Sequence, residues 1–336
     1  MSDYLTSSTI MATDNIVDIK NLKMYFPVRR GLLQLKAGDV KAIDDVTLSI
    51  RPGETLGLVG ESGCGKTTVG RCILGMYKPT DGKVIFEGTD INAESPAKLR
   101  SLRRNMAIIF QDPYSSMDPR MSSGTTVGEP LKIHNMTKSH KEYMDRIEEL
   151  FIMTGLNPDM ADRFPHEFSG GQRQCLSIAR ALAGEPSLIV CDEPISALDV
   201  SMQAQILNLL QDLQAKNDRM SYLFISHDLL AVQYISHRVA VMYLGRIVET
   251  AVSSTLYSDA RHPYTQALLS AQPIPDPVAE ETRQRIILEG DIPTPINPPS
   301  GCSFHPRCPM ATKECAESVP QLRDVGDEHF VACHRI

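Results

Sequence analysis

The stretch Gly60-Glu61-Ser62-Gly63-Cys64-Gly65-Lys66-Thr67 constrains this chain more than any other. It fits G-x-x-x-x-G-K-[ST] without a mismatch, and its flanks are those the motif needs. Glu54 to Val59 reads as a short buried strand, and beyond the loop Val69, Cys72, Ile73 and Met76 recur with the period of an amphipathic helix. Glycines let the backbone curl so that successive N–H groups point inward, and the helix N-terminus adds partial positive charge. In such a cradle Lys66 reaches the β- and γ-phosphates of a nucleotide and the Thr67 hydroxyl takes a place on Mg²⁺. A glycine-rich turn without a ligand is the plainer alternative, and the full match with both flanks weighs against it.

A length of 336 residues suggests two domains, or one large domain with an appendage. Hydrophobic content of 42% is enough for a sizeable core, and a net charge of −7 argues against nucleic acid as the main partner. No apolar run approaches the ~18 residues that would span a bilayer. Residues 1–15 are polar and acidic without a basic n-region, so a flexible tail is expected rather than a signal peptide or anchor. These features point to the cytosol, where the eight cysteines are expected to be reduced, as core residues or metal ligands.

Along the chain, Ile16–Ile19 and Asp45–Ile50 alternate as strands, and Arg29–Lys41 reads as a hairpin turning around Ala37-Gly38-Asp39. Lys83–Phe86 and Met106–Phe110 read as strands. The second ends at Gln111, whose amide can hold a metal ion or a water, or simply cap the strand. Residues 122–160 lack strand signals, and Glu142–Phe151 is helical, which suggests a helical subdomain inserted into an α/β core. Next, Phe168-Ser169-Gly170-Gly171-Gln172 leads into a helix from Cys175 to Ala183. Ser169 suits an N-cap and the glycines leave backbone N–H groups open, so a second anion site is expected there. A plain cap explains the serine but neither the glycine pair nor Gln172.

Ser187–Cys191 reads as a buried parallel strand that ends in Asp192-Glu193. Asp192 can hold Mg²⁺ through its water shell, and Glu193 can orient an attacking water or take its proton. Ser196-Ala197-Leu198-Asp199 follows. The strand Tyr222–Ile225 delivers His227 to the ligand crevice of an open α/β sheet, with a satisfied core histidine as an equal alternative. Val239–Leu244 reads as the last core strand, and seven prolines in residues 273–299 mark a linker or extended arm.

Gly60–Thr67, Gln111, Ser169–Gln172, Asp192-Glu193, Ser196–Asp199 and His227 stand in the order and spacing of six motifs of the ABC transporter ATPase. These are its phosphate loop, Q-loop, signature, magnesium-binding strand with catalytic glutamate, D-loop and H-loop, and the chain resembles that family. Tyr25-Phe26-Pro27-Val28, Gln111–Ser116 and His262-Pro263-Tyr264 resemble the dipeptide/oligopeptide importer branch, and within it the second of two paired ATPase subunits. The similarity covers residues 16 to 336. Phe168 in place of the signature's usual leucine, and Ile195 in place of threonine or valine, are apolar departures that touch no catalytic role.

The resemblance implies an α/β P-loop ABC ATPase fold: a RecA-like sheet with an antiparallel β subdomain over residues 16–270. It implies an inserted helical subdomain over approximately 112–185 and a Cys-bearing C-terminal domain over 271–336. It implies ATP hydrolysis that powers import of dipeptides or oligopeptides. An importer of oligosaccharides or metal complexes, or a soluble ABC ATPase of repair or translation, are the alternatives. The implied nucleotide contacts are Phe26 on the base, with Tyr25 as fallback, then Gly60, Glu61, Ser62, Gly63, Cys64, Gly65, Lys66, Thr67, Thr68 and Gln111. Mg²⁺ would sit on Thr67, Gln111 and Asp192, with Glu193 and His227 catalytic. Ser169, Gly170, Gly171 and Gln172 would close over the ATP of a partner subunit, with Asp199 in the D-loop. The implied partners are a second homologous ATPase subunit, two transmembrane permease subunits and, indirectly, a solute-binding protein. No nucleic acid is expected, and the place implied is the cytoplasmic face of the inner membrane.

Cys302, Cys308, Cys315 and Cys333 are separated by five, six and seventeen residues in a tail with little apolar sequence, which a staple would help to fold. Four thiolates can take zinc or an iron–sulfur cluster, but the spacing matches neither C-x₂-C nor the ferredoxin patterns, and four unligated thiols stay open. The branch resemblance implies a [4Fe-4S] cluster, with zinc second. Cys64, Cys72, Cys175 and Cys191 read as small hydrophobic residues.

Overall fold

Four apolar runs, each too short for a helix of useful length, build the centre of the molecule as strands buried on both faces. The computed structural model describes residues 15–31, 35–273 and 285–336. Nearly all of the expected N-terminal tail, and residues 274–284 of the proline-rich arm, lie outside the described residues.

The strands and α-helices in chain order begin with β1 (Val17–Arg30), β2 (Leu35–Ile50), β3 (Thr55–Val59), α1 (Lys66–Ile73), β4 (Asp81–Phe86), β5 (Thr89–Asp90), α2 (Pro96–Leu102) and β6 (Met106–Ile109). Then come α3 (Ser123–Ile133), α4 (His140–Met153), α5 (Gly170–Leu182), β7 (Leu188–Asp192), α6 (Val200–Lys216), β8 (Ser221–Ile225), α7 (Leu229–Ile235) and β9 (Arg238–Tyr243). The chain closes with β10 (Arg246–Val252), α8 (Ser253–Ser258), α9 (Pro263–Ser270), α10 (Lys313–Glu317), β11 (Arg323–Asp324) and β12 (Phe330–Val331).

One sheet is four-stranded and antiparallel, in the order β2-β1-β4-β5. The other is eight-stranded, in the order β11-β12-β10-β9-β3-β8-β7-β6. Its members β9, β3, β8, β7 and β6 run parallel, and β10, β12 and β11 complete it antiparallel. The period of two in a strand sends alternate side chains to opposite faces. Ile189 and Cys191 of β7 and Tyr222 and Phe224 of β8 therefore join one core, with Val127, Leu176 and Leu210 of α3, α5 and α6. Val190, Leu223 and Ile225 join the other, with Val69 of α1 and Ile19 and Val84 of the four-stranded sheet. The central strands β9, β3, β8 and β7 are thus buried along their whole length, while the edge strand β11 is exposed.

Between β6 and β7 the chain runs through α3, α4 and α5 with no strand. Ser122, Ser139 and Ser169 cap these helices, each accepting from a backbone N–H three residues on. Three expectations need correction. The hairpin does not turn at Ala37-Gly38-Asp39: Gly38 pairs with Val28 and Lys36 with Arg29, so those residues lie within the strand pairing. Helix α1 stops at Ile73 because Gly75 takes φ 62, which leaves Met76 half exposed rather than on the helix's apolar face. Val239–Leu244 is not the last strand, since β10, β12 and β11 extend the same sheet. Glu249 and Thr250 interrupt the apolar pattern of β10, yet both are buried. The Glu249 carboxylate accepts the backbone N–H groups of Arg261 and His262 and lies 2.7 Å from the His329 ring. Tertiary partners thus satisfy a carboxylate that looks solvent-facing in the sequence.

His262 opens α9, its Nδ1 accepting from Tyr264 N–H at 3.1 Å. Burial pushes its imidazole down to about 4. The unfolded chain takes up that proton near pH ~6.5. Stability is therefore fully present above that pH and falls by up to about 1.4 kcal/mol per pH unit as acid is added, until the folded imidazole titrates. His262→Asn keeps a capping side chain without the titration. We expect a shallower loss of the urea midpoint between about pH 7 and about pH 5 than in wild type; equal slopes would reject the assignment.

Candidate nucleotide-binding site

The chain leaves β3 at Val59 and turns back on itself before α1 begins at Lys66. Gly60 and Gly65 hold φ values of 150 and 113. A Cβ on Gly60 would stand 2.1 Å from the Met242 carbonyl oxygen, and one on Gly65 would stand 2.2 Å from that of Ala42. Neither position admits a side chain, because backbone from β9 and β2 presses directly on the loop. Lys66 is buried, its Nζ donating to the Gly60 and Glu61 carbonyls at 2.7 and 3.0 Å. Thr67 Oγ1 donates to Asp192 Oδ1 at 2.7 Å. Burial pushes the Asp192 carboxyl above the ordinary range, with the Thr67 hydrogen bond and the Arg71 charge opposing it.

Gln111, Glu193 and His227 follow β6, β7 and β8, so the ends of adjacent parallel strands bring them to the loop after β3. Gln111 Nε2 donates to Glu193 Oε2 at 2.8 Å, and His227 Nδ1 lies 3.4 Å from Glu193 Oε1. Glu193 adopts φ 50, and its N–H donates to the Ile225 carbonyl at 2.9 Å. A left-handed glutamate costs on the order of 1 kcal/mol or more, and here it turns the carboxylate out of the sheet toward the loop. Together these groups line a cavity of about 540 Å³. Ser62, Gly63, Gly65, Lys66, Thr67 and Thr68 form one wall, Gln111, Glu193 and His227 the facing one, and Val40 and Ala42 of β2 close a side.

Some expected residues stand elsewhere. Gly60, Glu61 and Cys64 lie outside the cavity wall, and Asp192 meets the site through Thr67. Phe26 packs edge-on against Tyr77, with ring centroids 5.4 Å apart, and is not part of the wall. The Tyr25 hydroxyl donates to Asp44, which is also bonded by Arg246. Val40 and Ala42 were missed because the second strand reads from the sequence as starting only at Asp45; the alternation Val40, Ala42 was the available signal.

The signature residues do not line this cavity. Helix α5 starts at Gly170, earlier than Cys175, and Ser169 and Gln172 close a reciprocal capping box of 3.3 and 3.0 Å. The cap therefore does explain the glutamine. A Cβ on Gly171 would fall 2.1 Å from Met202 Cε, the flexible end of that side chain, so packing accounts for this glycine only in part. Gly170 has no such neighbour: it is exposed, with the nearest atom to a built Cβ at 4.0 Å. Asp199 caps α6, accepting from Ser201 Oγ and Met202 N–H, and the next residue, Val200, is 82% exposed.

In the C-terminal segment the Cys302 thiol is pushed up to about 11 by burial, and the three other cysteines add to that rise. Backbone amides of Phe304, Met310 and Arg335 offset it at Cys302, Cys308 and Cys333. Among the described residues, no three His, Cys, Asp or Glu groups are placed to hold a metal ion, so side-chain placement does not support the expected cluster or zinc site. Cys72 and Cys191 are fully buried and Cys64 nearly so, as small core residues.

Residues 43–196 match the ABC transporter family, and residues 248–315 match the oligopeptide/dipeptide transporter C-terminal region. The oligopeptide transport ATP-binding protein AppF of Bacillus subtilis is 51% identical over 322 residues, covering 96% of this chain and 97% of its own. The oligopeptide transport ATP-binding protein OppF of Salmonella typhimurium is 47% identical, covering 96% of each chain. The dimeric ATP-binding cassette MJ0796, solved in a post-hydrolysis state bound to ADP and Pi, superposes with a TM-score of 0.63 at 28% identity, over 70% of this chain and 98% of that one. The fold and the loop define a P-loop ATPase of the ABC class. The chain belongs to the oligopeptide transport ATP-binding family of ABC transporters.

The two loop glycines separate strain from collision. Gly65→Ala meets backbone and is expected to weaken binding of a fluorescent ATP analogue by about tenfold or more. Gly63→Ala, with no protein atom within 4 Å, carries only its positive φ and is expected to lose about 1 kcal/mol of urea stability and to weaken binding less than Gly65→Ala. Equal behaviour of the two variants would refute the close-approach account.

Proposed function

We propose that this chain is the ATP-hydrolysing subunit that powers import of dipeptides or oligopeptides through a membrane ABC transporter. The observation that carries the proposal is the single cavity shared by Lys66, Thr67, Gln111, Glu193 and His227, with the Glu193 carboxylate held between Gln111 and His227. Peptide as the cargo is supported by the C-terminal match and by the names of the relatives.

In this reading Lys66 and the loop amides hold the β- and γ-phosphates of ATP. Thr67, Gln111 and Asp192 would hold Mg²⁺, which would neutralise phosphate charge. Glu193 orients the attacking water and accepts its proton, while His227 holds the γ-phosphate in line. Ser62, Gly63, Gly65 and Thr68 complete the cradle, and Phe26 stacks on the base from β1. Ser169 to Gln172 serve a second nucleotide, held by a partner ATPase subunit arranged head to tail. The exposed Gly170, whose missing side chain this chain's own packing does not require, supports that role. So does the exposed Val200 beside Asp199. ATP binding then closes the pair and hydrolysis opens it, a population shift that the permease reads.

The proposed domains are a nucleotide-binding domain over residues 16–270, its helical subdomain over approximately 112–185, and the C-terminal domain over 271–336. Two permease subunits, a second homologous ATPase and, indirectly, a solute-binding protein are the partners, at the cytoplasmic face of the inner membrane. No helix among the described residues is long and apolar enough to cross a membrane. For the C-terminal domain, the proposal is that Cys302, Cys308, Cys315 and Cys333 hold a [4Fe-4S] cluster. These four thiols would hold the cluster, and the match of residues 248–315 to the transporter C-terminal region supports reading the segment as that branch's domain.

Glu193→Gln is expected to cut ATP turnover about a hundredfold or more while ATP binding persists; equal turnover would overturn the catalytic assignment. In the assembled transporter, peptides should stimulate hydrolysis and oligosaccharides should not, and the reverse would keep the mechanism and change the cargo. Anaerobically purified protein should be brown, with broad absorbance near ~400 nm. Colourless protein with stoichiometric zinc would reject the cluster.

A further inference from the structure

Glu61 occupies the first variable position of the phosphate loop, where the motif asks for no particular side chain. All of its polar groups are nevertheless engaged. Its N–H donates to the Tyr264 hydroxyl at 3.0 Å, and its carbonyl accepts from Lys66 Nζ at 3.0 Å. Its carboxylate takes a forked bond from Arg307, with Nη1 at 3.0 and 3.2 Å and Nη2 at 3.2 Å. Arg307 comes from the C-terminal segment, 246 residues away in sequence and next to Cys308.

The arginine is itself fixed. Its side chain is 8% exposed, and Nη1 lies 3.5 Å from the Tyr243 hydroxyl. Its backbone N–H donates to Phe304 at 3.0 Å. The buried Phe304 ring packs against Tyr243 and Tyr264 at 5.3 and 5.4 Å. The same aromatic cluster therefore carries both partners of Glu61, the Tyr264 hydroxyl and the Arg307 fork.

We propose that Arg307 is a positioning residue for the phosphate loop, through which the cysteine-bearing segment sets nucleotide affinity. The physical reason has two parts. A carboxylate one residue into a phosphate-binding loop repels the ligand unless a cation neutralises it, and Arg307 does so in a planar, bidentate geometry that a lysine cannot copy. The fork and the Tyr264 bond also hold the start of the loop, on which the Lys66 ammonium rests, so losing the fork frees the loop as well as the charge. Coupling of this kind is reciprocal: nucleotide that settles the loop must also settle the segment holding Arg307.

The inference rests on the nucleotide reading of the loop, and the test separates the two. ATP affinity, KM and kcat are measured for wild type, Arg307→Gln, Arg307→Lys and the double variant Arg307→Gln with Glu61→Gln, along with hydrogen exchange at residues 302–308 with and without ATP. Arg307→Gln is expected to weaken ATP binding and raise KM by about 5- to 150-fold with kcat changed far less. Arg307→Lys should fall between, and the double variant should recover much of the loss by removing the uncompensated carboxylate. ATP should slow exchange at residues 302–308 in wild type and not in Arg307→Gln. Wild-type affinity in Arg307→Gln, or no recovery in the double variant, overturns this inference alone. Wild type without ATP affinity overturns the nucleotide reading and this inference with it. Should Arg307→Gln fail to fold, Arg307→Lys and the exchange pattern of wild type decide: unchanged affinity in the first with no ATP effect in the second rejects the coupling.

Discussion

The hydrogen-bonded register of β3, β8, β7 and β6 is the constraint on which the site depends. Leu58 pairs with Ile225, Ile225 with Asp192, and Cys191 with Ile109, so these strands end at nearly one level. The loop, Gln111, Glu193 and His227 then emerge side by side from four separate segments spread between residues 60 and 227. A slip of one residue would send each strand's side chains to the opposite face and lift its terminal polar residue away from the others. Both faces of the sheet are packed in separate cores, which makes such a slip costly: each large apolar side chain moved out of its core forfeits about 1.5–3 kcal/mol.

Each charged group around that frame has a polar or charged neighbour that fixes its direction. Lys66 rests on backbone carbonyls, Asp192 on the Thr67 hydroxyl, Glu193 between an amide and an imidazole, and Glu61 on a guanidinium. Each group is held by a neighbour that keeps its direction without covering the cavity. Three of these arrangements use only residues of the ATPase core. The fourth uses Arg307, which ties the C-terminal segment to the loop, just as the Glu249–His329 pair ties that segment to β10. The C-terminal strand β12 pairs with β10, so the segment is built onto the main sheet rather than hung from it.

Much of this was legible from residue order. The loop, its strand and its helix were marked by glycine spacing and by a change of apolar period, and Gln111, Asp192-Glu193 and His227 were marked by polar residues directly after apolar runs. Other features were not. The polar residues of β10 hid a strand because the partners of Glu249, the Arg261 and His262 amides and the His329 ring, lie outside it in sequence. The Ser169 region looked like an anion site for reasons that the capping box and Met202 partly account for. Phe26, placed on the base by resemblance, also packs on Tyr77, and Val40 and Ala42, which no motif marks, line the cavity. Nothing around Glu61 in sequence announced Arg307.

By itself the sequence determined which residues carry local chemistry: the glycine loop, the strand-end carboxylates and the helix caps. These depend on backbone conformation and on neighbours a few residues away, and short-range pattern records them. Tertiary structure alone decided which distant side chains meet: the Thr67–Asp192 and Gln111–Glu193 bonds, the wall of Val40 and Ala42, and the clamp of Arg307 on Glu61. Those contacts arise from strand order and packing between segments far apart in the chain, and local sequence carries no signal of that order.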